Sequence, residues 1–153
     1  TIMTAWPIAS LLPHAGNMIL IDEVLAYDAD SLTARTVVKT CPYSLPDGSL
    51  PPWLGLELMA QAVGAWAGCQ ARLAGVDVKL GFLLGTRRYE CHADTLPAGA
   101  TLTIPVKRGF IDDSGMSIFE CELRDGDRLL AAARLNLYQP KDPTVFIQED
   151  SPQ

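Results

Sequence analysis

Basic residues are few: 12 Lys and Arg stand against 18 Asp and Glu, a formal net charge of -6. Neutralising phosphates needs a basic face, so broad nucleic-acid binding is excluded. No Lys or Arg precedes Arg35, so the chain lacks the basic start of a secretion signal. No apolar window of membrane-spanning length is flanked like a span, and the uncharged stretch from Leu58 to Ala71 is rich in Ala and Gly. These absences predict a cytoplasmic protein with no membrane association. Metal-binding patterns are missing too. The four cysteines, Cys41, Cys69, Cys91 and Cys121, form no Cys-x-x-Cys pair, and the two histidines, His14 and His92, are isolated. No metal and no cofactor is expected, and the cysteines read as free, mostly buried thiols.

What is present suits one compact core. A chain of 153 residues, 48% hydrophobic and 20% charged, can bury one hydrophobic centre and has little length for a second. Met18 to Tyr27 and Ser31 to Lys39 read as two strands joined by the turn Asp28-Ala29-Asp30. Cys41 to Pro52 is rich in proline and contains Asp47-Gly48, so it reads as a loop. From Trp53 the pattern becomes helical and almost wholly apolar, with Pro52 suited to its start and Gly75 to its stop. A helix without a polar face must be covered on most sides. Four strand-like runs follow, Gly81 to Tyr89, Ala100 to Phe110, Met116 to Arg124 and Arg128 to Tyr138, the last two joined by Asp125-Gly126-Asp127. The expected class is therefore α+β, one antiparallel sheet wrapped around a long central helix, which is the hot-dog arrangement. Residues 1–138 form the single domain and 139–153, with prolines and acidic residues, a loosely ordered C-terminal extension.

One residue in the helix breaks the pattern. Glu57 is the only ionisable side chain between Pro52 and Ala71. A buried carboxyl needs a partner or must hold its proton, and a carboxyl poised in that way suits general-acid work. Gln61 lies one turn on and shares its face, and Gly64 and Gly68 continue the stripe with room for a surface or a narrow ligand. The plainer alternative is that Glu57 complements the helix dipole. His14, in Leu11-Leu12-Pro13-His14, is the other candidate for proton transfer, set against an ordinary structural histidine. Tyr43 in the loop reads either as a substrate contact or as a half-buried loop aromatic. Arg87 and Arg88, like Lys107 and Arg108, read as strand-end cations, able to meet a phosphate or an acidic protein, or simply solvated.

Two segments resemble a known family. Leu11-Leu12-Pro13-His14 with Met18 to Val24, and Pro51 to Gln61 with its Glu57-Leu58-Met59-Ala60-Gln61, resemble the 3-hydroxyacyl-acyl-carrier-protein dehydratases of fatty acid synthesis. Leu80 to Tyr89 is similar to a divergent branch of dehydratase-like hot-dog proteins associated with aryl polyene biosynthesis. The resemblance runs from about Leu11 to Tyr138. It implies removal of water from a 3-hydroxyacyl thioester, carried on the phosphopantetheine of an acyl carrier protein, to give the trans-2-enoyl thioester. It implies Glu57 as the helix carboxyl of the catalytic pair, with His14 the candidate for its histidine, while Tyr43, Trp53, Gln61, Arg87 and Arg88 stand as the candidate substrate contacts. It also implies a homodimer, or a heterodimer with another hot-dog protein.

The sequence departs from the family pattern twice. The usual loop histidine lies fourteen residues before the helix carboxyl, a position held here by Tyr43. The glycine whose N–H helps bind the thioester carbonyl is replaced by Pro52, which has no N–H, leaving Trp53 as the nearest donor. Either His14 serves as base, or the chain is a non-catalytic subunit of a heterodimeric dehydratase. Acyl thioesterase is a third reading, because the fold hosts both chemistries.

Overall fold

The computed structural model describes residues 19–75, 83–111 and 114–138. His14, the start of the expected first strand and the extension 139–153 lie outside the described residues. Six strands and one helix follow in the order β1 (Glu23–Tyr27), β2 (Ser31–Val37), α1 (Leu54–Ala74), β3 (Leu83–Cys91), β4 (Thr101–Ile111), β5 (Met116–Asp125) and β6 (Arg128–Tyr138). The strands form one sheet in the order β1-β2-β4-β5-β6-β3, every pair antiparallel. The helix touches all six strands. This is the expected hot-dog architecture.

Helix α1 carries the core. Fourteen of its 21 residues are buried, including the unbroken run Gln61–Cys69, so it has no solvent face over its middle turns. Trp66 and Phe119 meet edge to face at 4.9 Å in the centre, among Leu32, Leu58, Ile104 and Leu123. Gly64 and Gly68 are buried in this packing, so the room they leave is taken by another surface. The helix stops at Gly75, whose left-handed φ of 75° lets its N–H reach the carbonyls of Ala71 and Arg72.

The first strand is shorter than its composition predicts, and the cause is local. The N–H groups of Leu20 and Ile21 go to the Gln61 side chain, and the Leu20 carbonyl accepts from Thr36 Oγ1. The Asp22 carboxylate takes the Val37 N–H at 2.7 Å and Lys39 Nζ at 2.5 Å. Side chains thus take the place of ladder bonds at Leu20 and Ile21; the Asp22 N–H returns to the Arg35 carbonyl at 2.9 Å, and regular pairing starts at Glu23. At the other end of the hairpin, the Asp28 carbonyl receives Trp66 Nε1 and Gln70 Nε2, which fastens the β1–β2 turn to the helix.

The basic pairs are not strand ends. Arg108 sits within β4, bonded to Asp30 and the Ala29 carbonyl, with its guanidinium 4.9 Å from the centre of the Trp66 ring. It clamps the β1–β2 turn. Arg87 and Arg88 sit in the middle of β3, which runs on to Cys91, at a register shift between Thr86 and Arg88. Among the described residues β3 lies at the edge of the sheet, its backbone paired with β6.

Candidate active site

Pro52 and the loop before it deliver the chain to the helix, and the first full turn of α1 carries Glu57. Trp53 occupies the N-cap position in right-handed geometry, with no side-chain cap. The cap is supplied from the sheet instead. Tyr89 Oη donates a short hydrogen bond to the Pro52 carbonyl and accepts from the Leu56 N–H. Burial, with the Cys91 thiol beside it, pushes the Tyr89 hydroxyl pKa well above its ordinary value. Gly55 makes this contact possible. A Cβ there would lie 2.6 Å from Tyr89 Oη and 3.3 Å from Leu123 Cδ2.

The Leu54 and Gly55 N–H groups turn back on the Pro51 and Pro52 carbonyls, at 3.1 and 3.0 Å. With Leu56 facing Tyr89 and no N–H on Pro52, most of the helix-start donors are already engaged.

Glu57 is half-buried, where full burial is expected from the sequence, and it lines a cavity of about 190 Å³ with Leu20, Tyr43, Trp53 and Leu54. Tyr43 and Trp53 meet edge to face at 5.9 Å on this wall, and Trp53 is 58% exposed. A second cavity of about 220 Å³, lined among others by Ile19, Leu20, Val37, Cys41, Pro42 and Leu58, shares the Leu20 wall. It is mostly apolar in its lining residues. The two cavities meet at Leu20, and the Glu57 carboxyl stands on the wall of one of them.

Gln61 does not line either cavity. It is 1% exposed, and its Oε1 accepts the Leu20 N–H at 2.8 Å and the Ile21 N–H at 3.4 Å. Its Nε2 donates to Glu57 Oε1 at 3.2 Å. The Gln61 amide, read from the sequence as a substrate contact, is buried and bonded to protein partners.

Arg87 and Arg88 are not brought to this site. Tyr89 points to the helix, so strand alternation turns Arg88 the other way, where it is exposed and paired with Glu90 at 2.5 Å. Arg87 is exposed and lines neither cavity beside Glu57. His14, the expected partner of Glu57, lies outside the described residues. His92 is exposed and also lines neither cavity. Sequence reasoning missed Tyr89, because its role depends on a helix start far away in the chain, with Pro52 37 positions before it. Among the described residues no cluster of three or more His, Cys, Asp or Glu is placed to hold a metal, and no helix is long and apolar enough to cross a membrane.

Solved structures place this geometry among known folds. The chain matches "The Dehydratase Heterocomplex ApeI:P from Xenorhabdus doucetiae" at 29% identity and a TM-score of 0.82, over 97% of this chain and 100% of that one. Cj0977, a sigma28-regulated virulence protein from Campylobacter jejuni, shares the fold at 13% identity, with a TM-score of 0.62 over 88% of each chain. The thioesterase SAV0944 from Staphylococcus aureus shares it at 14% identity and a TM-score of 0.56, over 77% of this chain and 92% of that one. No protein of curated function matches the sequence. A family model described as ApeP-like, ApeP dehydratase, matches residues 6–148, and the chain therefore belongs to the ApeP-like dehydratases.

Proposed function

We propose that this chain is one subunit of a hot-dog heterocomplex that dehydrates a 3-hydroxyacyl thioester borne by an acyl carrier protein, in aryl polyene or fatty acid biosynthesis. The observation that carries this reading is the Glu57 carboxyl, braced by a buried amide on the wall of a cavity lined by Leu20, Tyr43, Trp53 and Leu54. The family and the heterocomplex relative support the reaction class and the two-subunit assembly.

In the reaction a base removes a proton from C2, Glu57 gives its proton to the hydroxyl on C3, the C3–O bond breaks, and water leaves as the C2=C3 bond forms. The base is an imidazole, from His14 or from the second subunit. Glu57 regains its proton from the base through solvent. Polarisation of the thioester carbonyl falls to the Trp53 N–H or to donors of the partner subunit, since the neighbouring helix-start amides are engaged.

A second reading, a non-catalytic subunit that completes its partner's site, is favoured by one specific observation. Tyr43 stands where the family has its loop histidine, and the amides at the helix start are turned inward. One experiment separates these readings. The chain is purified alone and with a co-expressed second hot-dog protein, and each is given a 3-hydroxyacyl thioester on acyl carrier protein. The catalytic reading expects enoyl product, and a Glu57→Gln complex slower by about a hundredfold or more. Unchanged turnover in an intact Glu57→Gln complex establishes the non-catalytic role. Release of free acid with no enoyl product moves the protein to the thioesterases.

A further inference from the structure

We propose that Tyr89 is a positioning residue that aims and strengthens the Trp53 N–H as the donor to the thioester carbonyl; this rests on the dehydration proposed at Glu57.

Pro52 and Trp53 share one peptide unit, and no peptide bond of the described residues is cis. In a trans unit the C=O and the N–H point in opposite directions. The C=O end is the Pro52 carbonyl, held by two donors, the Tyr89 hydroxyl and the Gly55 N–H at 3.0 Å. Both of its lone pairs are thus taken, and the pyrrolidine ring stiffens the residue that carries it. The N–H end belongs to Trp53 and leaves the unit on the side away from Tyr89. Among the described residues nothing accepts that N–H, whereas Leu54, Gly55 and Leu56 have all given theirs to protein oxygens. Trp53 also lines the cavity beside Glu57.

The hydrogen bonds run in series toward this open end. The Leu56 N–H donates to Tyr89 Oη, Tyr89 Oη donates to the Pro52 carbonyl, and the polarised carbonyl makes the N–H of its own unit a better donor. Bonds in such a chain strengthen one another, most of all where water is excluded. A donor already fixed in direction needs no rearrangement as charge grows on the thioester oxygen. The arrangement compensates for the N–H that Pro52 lacks by preparing the next one along. Gly55 is what admits the hydroxyl, since a Cβ there would lie 2.6 Å from it.

Tyr89 also has an ordinary structural duty as the cap of α1, so the test must read the carbonyl itself. Two variants disturb the strut in different ways in the assembled complex. Tyr89→Phe keeps the ring beside Gly55 and removes only the oxygen; Gly55→Ala keeps the oxygen and displaces it. The readout is isotope-edited infrared spectroscopy of a bound trans-2-enoyl thioester labelled with carbon-13 at its carbonyl, whose stretch falls as the bond is polarised. In wild type the bound stretch is expected below its position in free solution, and in both variants it is expected to move back toward that position. For Tyr89→Phe, kcat on the 3-hydroxyacyl thioester is expected to fall about tenfold with KM within about twofold, because a donor to the growing oxyanion acts in the transition state.

A stretch that is the same in wild type and Tyr89→Phe overturns the proposal even if the rate falls, since the slower rate would then reflect only a loosened helix start. Where Gly55→Ala fails to fold, Tyr89→Phe decides alone. A Glu57→Gln complex that turns over as fast as wild type instead defeats the reading of Glu57 as acid. The infrared comparison still decides in that case whether Tyr89 acts on the carbonyl.

Discussion

Single positions set much of what this protein can do. Glu57 is legible in the sequence because nothing else between Pro52 and Ala71 ionises. Gln61 is legible as its neighbour one turn on, but the sequence does not show that its oxygen is spent on Leu20 and Ile21. Spacing within a helix gives a shared face; partners from another segment need the fold. Gly55 and Tyr89 illustrate the same limit more sharply, since neither is unusual by itself. Gly55→Ala is expected to destabilise the protein by about 1–3 kcal/mol, because its methyl group would overlap Tyr89 Oη and crowd Leu123. Urea unfolding measures this, and pairing it with Tyr89→Ala is expected to recover part of the loss specific to Gly55. If the two substitutions are strictly additive, the collision is not the cause.

The elements differ in how openly their sequences declare them. Helix α1 was readable from its apolar run, with Pro52 before it and Gly75 after it, because periodicity and stop residues are local signals. Strand β6 and the tight turn before it were readable for the same reason. β1 was overread, since side chains of Asp22 and Gln61 intercept hydrogen bonds that a ladder would have used. β3 was cut short at Tyr89, because Arg88 and Glu90 look like a boundary when their ion pair actually lies on the outer face of a continuing strand.

The β1–β2 turn yields a pH-dependent prediction. The backbone N–H of Asp30 and the hydroxyl of Ser31 hold the Asp28 carboxyl below its usual range. A carboxyl whose folded pKa is depressed stabilises the fold above its unfolded pKa, and that contribution is lost as pH falls through the folded pKa. Asp28→Ala should therefore lower Tm at neutral pH, modestly given the turn's solvent contact. The gap from wild type should narrow on acidification. Calorimetry at a series of pH values checks it, and a gap that widens in acid refutes it.

For the whole molecule, the sheet's curvature around one helix follows from that helix having no face to spare. The architecture is therefore within reach of the sequence, whereas the two cavities, built from Ile19 and Leu20 ahead of β1, the end of β2, the loop and the first turns of the helix, are not. Core packing also divides the cysteines. Burial pushes the Cys69 thiol to about 12 and raises that of Cys121 still further, while Cys41 and Cys91 are only half-buried. Ellman's reagent on the native protein is expected to modify no more than Cys41 and Cys91, with Cys69 and Cys121 joining only in denaturant. Rapid reaction of all four in buffer would contradict the packing described.

Leu20 forms part of the wall of both cavities, and its own amide is tied through Gln61 to the carboxyl. Fit and reactivity are thus geared together. On the proposed function, remodelling that wall for a bulkier guest also shifts the support of the Glu57 carboxyl. Relatives of this chain with altered guest range should then carry paired changes, one at the wall and one in the helix, rather than a lone exchange at either.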